Sequence, residues 1–180
     1  MPEPLRTGRL LLVPYTAEQL QIALDRGFEA AAATLGLSYP PMSRAETRLR
    51  RNIYRSKLHI ITQTPRALPV TTAWQIAHDG AIVGEVGFKG PPIVGEVEIG
   101  YTTHNGYRRQ GFMSEAVAAL CTYAFEQNTY NVTRVTALTR RRNAASQGVL
   151  AKCGFVRDGK QGWWLLRWVL DAPLTMRDSS

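Results

Sequence analysis

The sequence predicts a mixed α/β (α+β) fold, in which a mostly antiparallel sheet is flanked by helices. Residues 73–89 have the pattern of two strands joined by Asp79-Gly80, a pair typical of a tight hairpin turn. After Gly111 apolar residues recur at helical spacing, and strand and helix patterns then alternate along the chain. This order of elements predicts helices packed in layers on a sheet.

The first half of the chain is predicted to contain one strand and three helices. Thr16 is a helix N-cap, and Ser43 with Glu46 forms a capping box. Prolines within residues 64–70 indicate a loop without a helix. The predicted elements are a strand over 10–13, a helix from Thr16 through residue 24, a short helix over 28–36 and a helix from 43 to about 57.

The second half is predicted to alternate strands with two further helices. The helix after Gly111 has one apolar face, formed by Met113, Ala116, Val117, Leu120, Tyr123 and Ala124. A second helix is expected over 143–153. The predicted strands are 73–78, 81–89, 97–102, 132–138, a strand opened by Gly154-Phe155, and 163–170.

Length and composition indicate an ordinary globular protein. A chain of 180 residues fits one domain, so a single domain is expected over residues 1–180. The two cysteines have no metal-ligand spacing and form no disulfide framework, so we expect reduced thiols, no metal site and a cytoplasmic location. No apolar stretch reaches the length of a membrane span, and no membrane association is expected.

The net charge of +8 favours an anionic partner, such as nucleic acid, a membrane surface or a phosphate-rich cofactor. Nearly all of this charge comes from arginine. The arginines are not interleaved with aromatic residues on one evident face, and no helix-turn-helix or zinc-finger pattern is present. A nucleic-acid partner is therefore not expected.

The stretch from Asn105 to Ala116 is the most informative part of the sequence. It places a glycine-bearing turn between a strand and an amphipathic helix. The first N–H groups of such a helix have no partners, and together with the helix dipole they form an anion site suited to a pyrophosphate. Gly111 lets the backbone approach the phosphates, and Arg108 and Arg109 add positive charge. The alternative interpretation is a basic surface turn before a helix.

Four segments resemble the GNAT superfamily of N-acetyltransferases, in the order that this family has them. Arg108-x-x-Gly111-x-Met113 resembles its acetyl-CoA pyrophosphate loop, Gln/Arg-x-x-Gly-x-Gly/Ala, except that Met113 replaces a small residue. The other three resemble the branch that contains ribosomal-protein N-terminal acetyltransferases. They are Leu5-Arg6-Thr7-Gly8-Arg9-Leu10-Leu11-Leu12, Val97-Glu98-Ile99-Gly100-Tyr101, and Asn143-Ala144-Ala145-Ser146 with Leu150-Ala151-Lys152-Cys153-Gly154-Phe155.

This resemblance implies an acetyl-CoA-dependent enzyme that acetylates a primary amine, either a protein N-terminus or a small molecule. A monomer or homodimer is expected. The alternative is a non-catalytic acyl-CoA-binding or regulatory module on the same fold. The implied cofactor-binding residues are Arg108, Arg109, Gln110, Gly111, Phe112, Met113, Ser114 and Asn143.

Two residues are candidates for catalysis. Glu98 alternates with the apolar residues of its strand and is the candidate general base, with Glu85 and Glu96 as weaker alternatives. Many GNAT enzymes use a tyrosine as the acid for the leaving thiolate, but the corresponding position here is Leu150. Ser146 resembles the serine of the ribosomal-protein branch and is expected to hydrogen-bond the sulfur instead.

Three further features have open roles. The run Arg140-Arg141-Arg142 either reaches a phosphate or an anionic part of the substrate, or is a solvated basic face. His104 lies nearest the phosphate loop, without an assigned role. Trp163 and Trp164 are predicted to face opposite sides of the last strand, which would leave one of them lining the acceptor cleft.

Overall fold

The computed structural model describes residues 2–126 and 130–173. Within these ranges eight strands form one sheet in the order β1-β2-β3-β4-β5-β6-β8-β7. The strands are β1 (Leu5–Arg6), β2 (Leu11–Pro14), β3 (Trp74–His78), β4 (Ala81–Phe88), β5 (Glu96–Thr103), β6 (Arg134–Arg140), β7 (Val156–Gln161) and β8 (Leu165–Asp171). The helices are α1 (Ala17–Asp25), α2 (Phe28–Ala33), α3 (Arg44–Gln63), α4 (Leu68–Thr71), α5 (Phe112–Glu126) and α6 (Ala144–Lys152).

One pair of strands interrupts the antiparallel sheet. β5 and β6 are parallel, and Glu96–Glu98 are the only β5 residues that pair with β6, opposite Arg134–Thr136. Beyond these residues β5 pairs only with β4, and β6 only with β8. The C-terminal parts of β5 and β6 therefore border an unpaired space, which we call the β5–β6 gap.

Helices cover both faces of the sheet, as predicted. α5 and α6 pack on one face, where Met113, Leu120 and Leu150 join a core that includes Val97 and Ile99 of β5. α1, α2 and α3 pack on the opposite face around a second core that includes Leu20, Phe28, Tyr54 and Ile61. No helix within the described ranges is long and apolar enough to cross a membrane.

Both predicted N-caps are confirmed. Thr16 accepts a hydrogen bond from the Gln19 backbone, and Ser43 accepts one from Glu46, each within a complete capping box. α3 continues to Gln63 rather than ending near residue 57. Its last turns contain no helix breaker, and Ile61 extends the buried face.

The predicted loop over 64–70 is wrong in one respect, because this stretch is helical. A 3₁₀ turn spans Pro65–Ala67 and α4 follows it. Proline is tolerated in a first helical turn, where the backbone N–H has no intrahelical acceptor. The buried Lys57 ammonium donates hydrogen bonds to the carbonyls of Thr71 at 2.5 Å, Phe88 at 2.7 Å and Thr72 at 3.2 Å. The first and third of these carbonyls, at the end of α4, thereby have a hydrogen-bond donor.

The β3–β4 hairpin and the β7–β8 hairpin differ in how well the sequence predicts them. Asp79 and Gly80 adopt φ of 48° and 74°, which confirms the tight turn between β3 and β4. The last strand begins at Leu165 rather than at Trp163. Trp163 and Trp164 lie in the turn before it, 84% and 78% exposed, so the expectation that they face opposite sides of a strand is wrong.

Candidate functional site

The segment between β5 and α5 forms an open set of backbone donors. Arg109 and Gly111 have φ of 63° and 81°, in the left-handed region, and such turns point successive N–H groups towards one concave side. Within residues 2–126 and 130–173, no hydrogen bond uses the backbone N–H of residues 109–114. The N-terminus of the 15-residue α5 is therefore free to bind an anion.

Gly111 is required at its position for two reasons. Its φ of 81° is strained for any residue with a side chain. A Cβ there would also lie 3.3 Å from a guanidinium nitrogen of Arg9. Arg108 and Arg109 precede this glycine in the chain and are exposed, so they add positive charge close to the free N–H groups.

Met113 does not narrow the loop. Its side chain is buried in the core, with its Cε 3.3 Å from the position that a Cβ on Gly84 would take. The larger side chain therefore points towards the sheet, where the glycine of β4 leaves room for it. The departure from the family pattern affects helix–sheet packing and leaves the backbone donors accessible.

An interaction that the sequence analysis missed attaches the N-terminal segment to the first turn of α5. Glu115 accepts hydrogen bonds from Thr7 Oγ1 at 2.5 Å and from the Arg9 backbone at 2.9 Å. Its other oxygen accepts one from Arg9 Nε at 2.9 Å. Arg9 also donates to the Gln110 carbonyl at 3.0 Å, and its guanidinium lies 4.9 Å from the centre of the Phe112 ring. These contacts give Thr7 and Arg9 a structural role. They attach the N-terminal segment to the loop of free N–H groups at residues 109–114, which we call the donor loop.

Replacing Glu115 with glutamine should lower the free energy of unfolding by about 1–2 kcal/mol at neutral pH, because charge-assisted hydrogen bonds are lost at a partly exposed site. Burial opposes ionisation of Glu115, but the hydrogen bonds from Thr7 and Arg9 lower its pKa overall. A lowered folded-state pKa gives stability that is present at neutral pH and lost as the pH falls through it. Urea unfolding at several pH values measures the difference.

The matched control is Glu18→Gln, which removes an exposed carboxylate from the first turn of α1. This variant loses a similar interaction with a helix dipole but none of the contacts to the N-terminal segment. Two outcomes would contradict the role assigned to Glu115. Both substitutions could lower the free energy of unfolding equally, or the difference between the two variants could stay the same at acidic pH.

Glu98 lies at the closed end of the β5–β6 gap, opposite Thr136 in the last β5–β6 residue pair. Its side chain is 28% exposed and its Oε1 forms an ion pair with Lys89. Its Oε2 has no hydrogen-bond partner among the described residues. The carboxylate therefore has one oxygen held and one available to accept a proton.

The two alternative glutamates are already engaged. Both oxygens of Glu96 accept hydrogen bonds from Arg167 at 2.8 Å. Glu85 is only 8% exposed and accepts hydrogen bonds from Tyr54 at 2.5 Å and Gln75 at 3.2 Å. Glu85 is buried beneath α3, where its partner Tyr54 lies, so water reaches it less easily than the partly exposed Glu98 on the same face of the sheet.

On the other face of the sheet, Ser146 is paired with a tyrosine that the sequence analysis did not select. Ser146 Oγ donates to Tyr101 Oη at 2.8 Å, and Tyr101 donates to the Ser146 carbonyl at 3.0 Å. Burial raises the pKa of Tyr101 to about 12, partly offset by the hydrogen bond to Ser146, so its phenol stays protonated at neutral pH. Asn143 caps α6 by accepting a hydrogen bond from the Ser146 backbone at 3.1 Å, and its amide NH₂, a potential donor, has no hydrogen bond to the residues that the structure describes.

A buried polar network extends along α3 on the Glu85 side. Arg50 donates to the Tyr39 hydroxyl, and its guanidinium lies 3.3 Å from His104 Nε2. Burial, reinforced by the charge of Arg50, lowers the pKa of His104 to about 4, so this histidine is neutral at physiological pH. The i, i+4 spacing of Arg50 and Tyr54 was the signal in the sequence that this side of α3 carries polar contacts to the sheet.

The remaining candidates lie at the end of the sheet where the gap opens. Arg140, Arg141 and Arg142 are exposed at the end of β6, and the Arg141 backbone donates to the Trp164 carbonyl at 3.0 Å. The two exposed tryptophans therefore sit beside the arginine run. Within the described part of the chain, no cluster of three or more His, Cys, Asp or Glu residues could hold a metal ion.

The sequence profile of the acetyltransferase (GNAT) domain family matches residues 9–156. An uncharacterized N-acetyltransferase, YjdG of Bacillus subtilis, is 40% identical over 80 residues, which is 44% of this chain and 46% of that protein. Two solved structures share the fold over most of both chains. RimJ of Mycobacterium smegmatis in complex with CoA-disulfide has a TM-score of 0.63 and 20% identity, covering 94% of this chain and 86% of RimJ.

The second is an acetyl transferase from Salmonella typhimurium that modifies the N-terminal serine of ribosomal protein L7/L12. Its TM-score is 0.66 at 17% identity, covering 95% of this chain and 100% of that one. These two likenesses confirm the predicted fold, and the profile match confirms the family inferred from the four motifs. The chain belongs to the GNAT acetyltransferase family, whose members transfer an acetyl group from acetyl-CoA to an amine.

Proposed function

We propose that this chain acetylates the primary amine of a polypeptide N-terminus, with acetyl-CoA as the acetyl donor. The observation that carries the proposal is the open donor loop at the start of α5, next to a gap with Glu98 on one face of the sheet and Ser146 with Tyr101 on the other. The proposal assigns one task to each of these groups.

The cofactor is held by the loop and by the start of α6. The free N–H groups from Arg109 to Ser114 fit a pyrophosphate, and the side chains of Arg108 and Arg109 add charge. The Asn143 amide is a further donor next to the gap. Acetyl-CoA supplies an activated thioester carbonyl when bound there.

Glu98 is proposed to accept the proton from the attacking amine. Its free Oε2 can take a proton directly or through one water, and the ion pair of Oε1 with Lys89 fixes the side chain. An amine and the thiolate that it displaces occupy different positions around the carbonyl carbon. A base and an acid on opposite faces of the sheet suit that arrangement.

Ser146 is proposed to stabilise the leaving thiolate with a hydrogen bond, for which its hydroxyl turns from Tyr101 towards the sulfur. Tyr101 positions the serine through two hydrogen bonds and keeps its own proton at neutral pH. The pair would replace the acid tyrosine of many relatives, whose position is occupied by Leu150, a residue that is fully buried in the core.

Ser146→Ala is expected to lower kcat by about 10–100-fold, which is no more than general acid catalysis usually contributes. The affinity for acetyl-CoA should not change. Tyr101→Phe should give a smaller loss, because the serine remains. Steady-state kinetics together with calorimetric titration would separate the two quantities. The Ser146 assignment fails if Ser146→Ala weakens cofactor binding at constant kcat.

The acceptor class is supported by the structural likeness to the L7/L12-modifying acetyl transferase, and by the tryptophan-bearing turn at the open end of the gap. Exposed aromatic rings there could contact a polypeptide chain. Mass spectrometry of a peptide library with free N-termini, compared with a panel of small amines, would test the choice. Turnover on small amines alone would contradict a polypeptide acceptor, and binding without any turnover would favour the non-catalytic module.

A further inference from the structure

Helix α3 carries most of the excess positive charge of this protein. It contains six basic side chains and one acidic side chain, in a chain of net charge +8. Two of the six, Arg50 and Lys57, are buried against the sheet. The other four recur at intervals of four, three and four residues, which places them on one helical face. We call Arg44, Arg48, Arg51 and Arg55 the arginine stripe.

The stripe is not neutralised within the described part of the chain. None of its arginines forms an ion pair with a carboxylate there, and its one recorded side-chain hydrogen bond joins Arg55 to Asn52 Oδ1 at 3.3 Å. Like charges three and four residues apart destabilise a helix. The sequence thus places repulsive neighbours along about 16 Å of helix, at 1.5 Å per residue, with no ion pair among the described residues to offset the repulsion.

A groove follows the stripe. One depression, of about 330 Å³, is lined by Met42, Arg44, Thr47, Arg48, Arg51 and Arg55. A second, of about 420 Å³, lies between α1 and α3 and shares Arg51 and Arg55 with the first, so the two are adjacent. The second also contains Asp25, a carboxylate that accepts a hydrogen bond from Gln21 at 2.7 Å. Positive charge dominates the groove.

We propose that the arginine stripe binds the phosphodiester backbone of a nucleic-acid duplex, independently of acetyl transfer. Arginine, threonine and glutamine, the main polar residues of the groove, are the side chains that contact phosphates in protein–nucleic acid complexes. No phenylalanine, tyrosine or tryptophan lines either depression, and the one ring there is that of His59, whereas protein interfaces and single-strand binding sites use several large aromatic residues. The stripe therefore favours a duplex backbone over an acidic peptide or an unpaired strand.

This inference revises the expectation that nucleic acid is not a partner. That expectation depended on the absence of a face where arginines are interleaved with aromatic residues, and of helix-turn-helix and zinc-finger patterns. The stripe has none of these features, but it gathers arginines on one face and so matches phosphate contacts that need no base recognition.

The test measures fluorescence anisotropy of labelled 20-base-pair RNA and DNA duplexes at 50 and 200 mM salt. The variant Arg48→Gln/Arg51→Gln/Arg55→Gln is compared with the control Arg140→Gln/Arg141→Gln/Arg142→Gln, which removes the same charge from another surface. We expect the stripe variant to lose at least about tenfold in affinity, and its log–log salt slope to fall by about 2–3, since each phosphate contact contributes about 0.9. The control should lose less than about threefold.

Equal losses in both variants would reduce the effect to net charge and overturn the proposal. So would absence of duplex binding by the wild-type protein at 50 mM salt, or tighter binding of polyglutamate or single strands through the same arginines. The RNA and DNA measurements identify which duplex is preferred. Acetylation of a peptide substrate by the stripe variant should stay at the wild-type rate, so failure of this proposal is distinct from failure of the proposed enzymatic function.

Discussion

Gly111→Glu is expected to abolish detectable acetyl-CoA binding. The substitution places a carboxylate among the N–H groups from Arg109 to Ser114, where the pyrophosphate is proposed to bind. It also forces a side chain into a backbone with φ of 81° and towards the guanidinium of Arg9. A loss of at least about 100-fold in affinity, or roughly 3 kcal/mol, should be visible by isothermal titration.

The matched control for this substitution is Gly106→Glu. Gly106 lies in the same loop, its added Cβ would meet nothing within 4 Å, and its φ is outside the left-handed region. The control adds an equal charge away from the start of α5, and we expect its affinity to stay within about threefold of wild type. A comparable loss in both variants would indicate a general repulsion of the cofactor. No binding by the wild-type protein would indicate a fold that lacks its cofactor.

Glu98→Gln is expected to reduce kcat by about 10²–10³-fold and to leave acetyl-CoA affinity within about twofold. Glutamine keeps the shape of the side chain and cannot accept the proton of the attacking amine, and general base catalysis contributes a factor of this order. Presteady-state and steady-state kinetics with a peptide acceptor provide the rate, and titration provides the affinity.

Glu85→Gln tests the competing assignment. Glu85 accepts hydrogen bonds from Tyr54 and Gln75 beneath α3, so its loss should lower the melting temperature more than it lowers kcat. A large kcat effect in a stably folded Glu85→Gln protein, with none in Glu98→Gln, would transfer the role of base to Glu85. Loss of cofactor affinity at unchanged turnover in Glu98→Gln would also remove Glu98 from that role.

Elements with local signals could be predicted from the sequence. The capping pairs Thr16–Gln19 and Ser43–Glu46 involve residues three apart, and both helix starts were correctly identified. The Asp79-Gly80 turn carries its own backbone preference. The helical stretch after Pro65 was missed because proline usually marks a break, although it is tolerated in a first turn.

The site was less predictable, since its contacts join distant segments. Glu115 meets Thr7 and Arg9 from the opposite end of the chain, and Tyr101 meets Ser146 across two elements. No periodicity within one segment reports such pairs. The arginine stripe is different, because its spacing of four, three and four residues is visible in the sequence. A count of charges along each face of the predicted helix identifies it.

The short β5–β6 contact has a consequence for local stability. Among the described residues, three residue pairs and the hydrogen bonds of the Thr133 and Arg134 backbone to the Gly95 carbonyl join β1 to β5 to the group of β6, β8 and β7, so backbone hydrogen bonding links the two halves of the sheet weakly. The two groups can act as separate cooperative units, held together mainly by the side chains beneath α5 and α6. A molecule that occupies the gap would bridge these units. Amide exchange in β6 and β8 should then slow on binding, even at residues that never touch the ligand.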